Sequence, residues 1–142
     1  MSTFNYVVSN PSYSGIKKRS YDRANEVDTE ITVETIPLDM VIPENYKIDF
    51  IKIDVEGGEF QVLKGAVDSI TKFKPIIIFE HGIGASDHYG TKPEEVFNLL
   101  ANCNLQIATM EMWLKGQKSF TLKEFEQQFY QRLNYYFIAY PK

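Results

Sequence analysis

Carboxylates gather at two places in this sequence. Asp54, Glu56 and Glu59 surround the glycine pair Gly57-Gly58, directly after the apolar run Ile48-Asp49-Phe50-Ile51-Lys52-Ile53. Glu80 and His81 follow a second apolar run, Ile76-Ile77-Ile78-Phe79. A glycine pair at a strand-to-helix turn often holds phosphate at a helix N-terminus, but three acids in the six positions 54–59 repel an anion. Phosphate is disfavoured, and such a mouth suits a cation instead: a metal ion, an amine or a sulfonium. Magnesium or manganese would need Asp54, Glu56, Glu80 and His81 to converge, which requires the two runs to be neighbours. Plainer roles stand beside these. Glu59 in a first helical turn favours the helix dipole, Glu56 can sit beside the N-cap, and a histidine next to a buried strand is as often hydrogen-bonded structure as ligand or base. Asp54, which leaves the strand straight into the crevice, is the strongest candidate. His88 lies in a polar loop and reads as exposed.

In an open parallel sheet the ligand crevice lies beyond the carboxyl ends of the strands, so the elements before these residues decide whether they meet. Residues 4–8 read as a strand, followed by a polar loop to residue 30 whose Lys17-Lys18-Arg19 cluster reads as solvated surface. Branched residues favour a strand over 31–36, and Leu38 to Ile42 makes one helical turn closed by Pro43. The run 48–53 is nearly continuous in apolar residues, as in a central strand covered on both faces. Phe60, Leu63, Val67 and Ile70 then recur at helical spacing up to Lys72-Phe73-Lys74-Pro75, and 76–79 is a second buried strand. Thr91 and Glu94 have capping-box spacing before a helix with Val96, Leu99, Leu100 and Cys103 on one face. A strand over 105–111, a helix opened by Thr121 with Leu122, Phe125 and Phe129 inward, and an aromatic strand over 133–140 complete the chain. Strands alternating with amphipathic helices give an α/β class with a mostly parallel sheet.

Composition sets the outer limits. A chain of 142 residues makes one domain, 1–142, able to bury about 68% of its unfolded surface. With 44% hydrophobic residues, 10 Phe and 9 Tyr, it is not a disordered chain. A formal net charge of -4 gives no general attraction for nucleic acid or anionic lipid. The single cysteine, Cys103, makes no internal disulfide and fits a reducing compartment. The N-terminus lacks a signal-peptide pattern, and no apolar run approaches the roughly 20 residues of a membrane span, so a soluble, cytoplasmic domain is expected. There is no H-E-x-x-H, G-x-S-x-G, paired-cysteine zinc pattern or P-loop, which leaves hydrolase and triphosphatase chemistry little support.

The run Ile48 to Ala66 (IDFIKIDVEGGEFQVLKGA), followed by Pro75-Ile-Ile-Ile-Phe-Glu80, resembles the signature of the FkbM-type S-adenosylmethionine-dependent methyltransferases. Thr35-Ile-Pro-Leu-Asp39 is similar to the family's segment before that strand, and the last aromatic strand to the antiparallel strand that ends such domains, so the likeness covers roughly residues 30–140. The resemblance implies an incomplete Rossmann-like class I methyltransferase sheet with an antiparallel C-terminal strand. It also implies S-adenosylmethionine as cofactor and a small-molecule or sugar acceptor methylated on oxygen or nitrogen. Asp54, Glu80 and His81 would serve catalysis, with Asp54, Val55 and Glu56 near the cofactor. The family's glycine-rich cofactor turn and the ribose-binding acid are not found before residue 48, as though the chain began after the first three strands. A non-catalytic remnant or assembly module is the alternative. The edge of the strand ending at Asp54 would then be open, to be covered by residues 4–8, by 31–36, or by a second copy in a homo-oligomer.

Overall fold

The computed structural model describes residues 1–18 and 25–142; Arg19 of the basic cluster lies outside them. Two sheets form. Strands β1 (Ser2–Val7) and β2 (Asp28–Val33) pair antiparallel, and Asn5 bridges Gly15 through both backbone bonds. The larger sheet contains β3 (Phe50–Ile53), β4 (Ile76–Glu80), β5 (Leu105–Ala108) and β6 (Tyr136–Pro141) in the order β3-β4-β6-β5. The β3–β4 ladder is parallel, whereas β6 runs antiparallel to both β4 and β5. The mostly parallel pairing expected from the sequence is therefore corrected. β3, β4 and β5 point the same way, but the inverted last strand is inserted between two of them and converts two ladders of three to antiparallel.

The strand, helix, strand reading around the acidic turn holds with one break. Two helices, α2 (Glu59–Lys64) and α3 (Val67–Phe73), replace the single expected one, because the chain leaves the helical path at Gly65 and Ala66. Helices α4 (Pro93–Asn102) and α6 (Leu122–Tyr130) complete the cover over one sheet face. A single core joins Ile53, Ile77, Phe79, Ile107, Phe137 and Ala139 of the sheet to Leu63, Ile70, Leu100 and Phe125 of these helices. Cys103 is buried in the same core. Thr121 opens α6 as expected and forms a capping box with Glu124, whereas at α4, where the capping box was expected on Thr91 and Glu94, the cap falls on Lys92, whose amide donates to Glu95 at 2.9 Å. β5 stops at Ala108 instead of running to Glu111, since the Thr109 hydroxyl caps Met112 and starts α5 (Met110–Leu114).

The opposite sheet face is covered only in part. α5 packs Trp113 against Tyr140, but Phe50 remains 54% exposed and Lys52 is exposed. Among the described residues β3 is also an edge strand, paired with β4 alone, rather than a central one covered on both faces. Neither of the segments expected to protect its edge does so, because β1 and β2 pair with each other. An apolar run reads the same whether its second face is covered or open, which is why the sequence misplaced it.

Helix α1 (Leu38–Val41) supplies a cap that α3 lacks. Ala66 at the N-cap of α3 has no side-chain acceptor, and Asp39 takes that role from a distance. Its two carboxylate oxygens accept from the amides of Asp68 at 3.0 Å and Ser69 at 2.9 Å. Burial alone would raise the Asp39 carboxyl, but the bonds from Ser69 and Asp68 outweigh it and hold the group below its ordinary value. Asp39→Ala is expected to lower stability by about 1–2 kcal/mol, with Asp39→Asn losing less, as read by urea denaturation.

Candidate active site

Asp54 and Glu80 leave the sheet side by side, one step beyond the paired residues Ile53 and Phe79 of the parallel ladder. The turn that follows β3 is held from inside. Glu59, 2% exposed at the start of α2, folds back so that its Oε1 accepts from the amides of Val55 at 3.2 Å and Gly57 at 3.1 Å. Its other oxygen is buried without a hydrogen-bond partner. Gly57 has φ +100° and lies so close to the loop after β4 that an added Cβ would stand 2.4 Å from the Ala85 carbonyl oxygen. Glu56 adopts a left-handed φ of 56° beside it. The expected helix-dipole role of Glu59 is thus joined by a second one, as the clamp of the acidic turn.

Four groups stand on one sheet face at this end. The Lys52 ammonium donates to Asp54 at 2.6 Å, and that bond with the Asp54 charge raises the lysine above its ordinary pKa. Glu80 stands directly opposite Tyr136, its cross-strand partner at the start of β6. Burial raises the Glu80 carboxyl and Tyr136 lowers it, while the charges of Asp54, Glu59 and Glu56 add to the rise and leave it above the usual range. Tyr136 is raised in turn, chiefly by the charge of Glu80.

On the other side of Asp54 a groove of about 1050 Å³ runs between the acidic turn, α2 and the small β1–β2 sheet. Asp54, Val55 and Glu56 line it, with Phe4, Ile36 and Val62 among its apolar walls. Lys17 ties the small sheet across to the loop after β4, through its amide to the Tyr89 hydroxyl at 3.1 Å and its ammonium to the His88 carbonyl at 3.2 Å. Lys18 pairs with Asp28 at 2.7 Å. His88 is exposed, as expected.

His81 is set apart from the carboxylates. It is 2% exposed, stacked on Phe125 and Phe129 with ring centroids at 5.6 and 4.7 Å, and its Nδ1 lies 3.1 Å from the Ser86 hydroxyl. Burial lowers its pKa from 6.5 to about 4, so the ring is neutral at pH 7. His81 is not among the residues lining the groove. Among the described residues no three His, Cys, Asp or Glu side chains come together in a group able to hold a metal ion.

Sequence reasoning brought Asp54 and Glu80 forward and passed over Tyr136 and Lys52. The signal for Tyr136 was its place as the first residue of an antiparallel strand, which sets it at the end where parallel strands exit. For Lys52 it was the i, i+2 spacing to Asp54, which puts both on one face of a strand.

The domain is α/β, and its two parallel strands end in neighbouring acids, Asp54 and Glu80, of which Asp54 lines the groove. The chain belongs to the methyltransferase FkbM domain family, whose model it matches over residues 2–107. The match starts earlier than the likeness read from the sequence, taking in the β1–β2 sheet, and ends before α5, α6 and β6. Neither a curated protein nor a solved structure matches the chain. Among the described residues no helix is long and apolar enough to cross a membrane.

Proposed function

We propose that this chain supplies the acceptor side of an S-adenosylmethionine-dependent methyltransferase acting on an oxygen or nitrogen of a small molecule or sugar. The observation that carries the reading is the adjacency of Asp54 and Glu80 at the exits of paired parallel strands, in a chain of the FkbM domain family. Asp54 orients the acceptor at the boundary between the groove and the open face of the sheet, and Glu80 receives its proton. Holding the reacting groups in line contributes most of such catalysis, with proton removal adding about 10²- to 10⁴-fold.

The donor's amino-acid end needs free backbone amides, and the acidic turn does not offer them. Those of Val55 and Gly57 are already taken by Glu59, and the carboxylates around them repel another. The mouth has the charge to suit a sulfonium, but these residues do not form the full cofactor cradle. In this reading a glycine-rich unit, joined to the edge of β3 in the complete or complemented protein, would grip the donor. A second copy of the chain is the other polypeptide that edge would accept.

A non-catalytic assembly module is the second reading, favoured by the same occupied amides. Calorimetry with S-adenosylhomocysteine separates the two, using the chain alone and the chain mixed with a glycine-rich strand-turn-helix polypeptide of the family. Micromolar binding in either supports the methyltransferase, and silence in both supports the module. In the binding-competent form, Asp54→Ala is expected to lower methyl transfer about ten- to a hundredfold while changing stability by no more than about 0.5 kcal/mol. Unchanged turnover would remove Asp54 from the site.

A further inference from the structure

We propose that the β1–β2 sheet is a hinged wall of the groove, swinging about residues 34–37 and latched to the loop after β4 by Lys17 and Tyr89. The proposal goes beyond the methyl-transfer reading and does not depend on it, because the wall encloses the groove whatever fills it. The small sheet holds together as one body. Asn5 and Gly15 exchange backbone bonds, Val7 donates to the Ser14 hydroxyl at 3.0 Å, Val8 donates to the Val27 carbonyl at 2.8 Å, and Lys18 pairs with Asp28. Among the described residues no ladder joins this sheet to the larger one. Phe4, Ser14 and Gly15 of this body stand on one side of the groove, and the acidic turn and α2 form the other.

The two attachments of this body fall at opposite ends of α2. Near its C-cap, Glu34 to Pro37 joins β2 to α1 outside any regular element, and all four residues are exposed. Past them the chain is fixed, since the Asp39 amide donates to the Gly65 carbonyl at 3.0 Å and the Asp39 carboxylate caps α3. Thr35 is tied to the sheet by its hydroxyl, 3.4 Å from that of Ser2, and the Pro37 ring fixes its own φ, so the bend falls at Ile36. Hinges of this kind are a few loop residues that absorb a change in φ and ψ. Near the N-cap of α2 the Lys17 amide donates to the Tyr89 hydroxyl, and the Lys17 ammonium reaches the His88 carbonyl and lies 5.3 Å from the centroid of the Tyr89 ring. Tyr89 belongs to the fixed side, packed 3.6 Å from where a Cβ on Gly58 would stand. Both latch bonds are exposed, so they break without opening the core. Released, the sheet uncovers Asp54, Val55 and Glu56 for a ligand to enter; latched, it shields them from water.

Tyr89→Phe removes the acceptor of the Lys17 amide and keeps the ring, and Lys17→Ala removes the ammonium contacts. Each is expected to multiply the open population about fivefold, and the two together about 25-fold. Double electron–electron resonance reads this in the full chain carrying Cys103→Ala, with spin labels at Thr32→Cys on β2 and Asn98→Cys on α4, both exposed positions. The parent is expected to show one distance, and the double variant a second, longer one. Hydrogen exchange of the β1–β2 ladder amides should be unchanged, because the sheet moves without melting. Access is read from the rate at which iodoacetamide alkylates the thiol introduced by Val62→Cys, a position that lines the groove. That rate is expected to rise at least about fivefold in the double variant, while alkylation at Asn98→Cys stays the same. A single unchanged distance overturns the proposal, as does an unchanged alkylation rate at Val62→Cys. Ladder amides that exchange as fast as those of an unfolded peptide also overturn it, since the wall would then melt rather than swing.

Discussion

Gly57→Ala is expected to lower stability by about 2–6 kcal/mol, an effect out of proportion to one methyl group on the surface of a turn. Two costs add. The residue sits at φ +100°, where an L side chain is strained, at roughly 1–3 kcal/mol. The new Cβ would also meet the Ala85 carbonyl oxygen at 2.4 Å, and that oxygen belongs to backbone, which cannot rotate away as a side chain does. Displacing packed backbone costs about 1–3 kcal/mol more. The neighbouring glycine provides the control: at Gly58 an added Cβ meets only the Tyr89 ring at 3.6 Å, an ordinary contact, and φ there is -84°. Thermal unfolding should therefore separate the two variants by roughly 10 °C, and equal melting temperatures would mean that the turn does not rest on the loop after β4.

Acidification should destabilise the domain through His81. Its pKa is 6.5 in the unfolded chain and about 4 in the folded one, so above pH 6.5 both states hold the ring neutral and nothing is lost. As pH falls from 6.5 to 4 the unfolded state takes up the proton first, and stability drops by about 3 kcal/mol in total. By pH 5 the loss is already about 2 kcal/mol. Glu80 titrates with the opposite sign, since a carboxyl raised on folding favours the folded state as pH falls, and its contribution cancels when variants are compared. His81→Phe keeps the aromatic stack on Phe125 and Phe129 and removes an Nε2 that is buried without a partner. Denaturation of the two proteins at pH 7 and pH 5 is expected to give similar stability at the higher value and a phenylalanine variant more stable by about 2 kcal/mol at the lower one. Parallel behaviour at both values would show that the ring is reached by water.

The unit from β3 through α3 to β4 was legible because buried apolar runs and a helical period are local signals, strong enough to survive a break at Gly65. The convergence of Asp54 with Glu80 followed from the same unit, since a parallel crossover puts consecutive strand exits together. The pairing of β1 with β2 was not legible. No local feature distinguishes a strand that covers its partner from one that would cover the edge of β3. The role of Asp39 was hidden for a related reason, as it caps a helix about 30 residues away, and only Ala66 at the N-cap hints that the cap must come from elsewhere. β5 was read too long because Thr109 and Met110 suit a strand as well as a helix start, and the hydroxyl bond to Met112 decides between them. Glu59 was read for its place in the helix, whereas its burial comes from the turn it closes.

The placement of β6 has a kinetic consequence. β4 and β5 are brought together only by β6, which is made after both, so residues 76–80 and 105–108 are joined through no ladder until 136–141 is inserted between them. Such pairing lengthens the average separation of contacts along the chain and slows folding. During synthesis β4 can pair with β3 on one edge, but its other edge stays open until β6 arrives, and in this interval the nascent protein is exposed to aggregation.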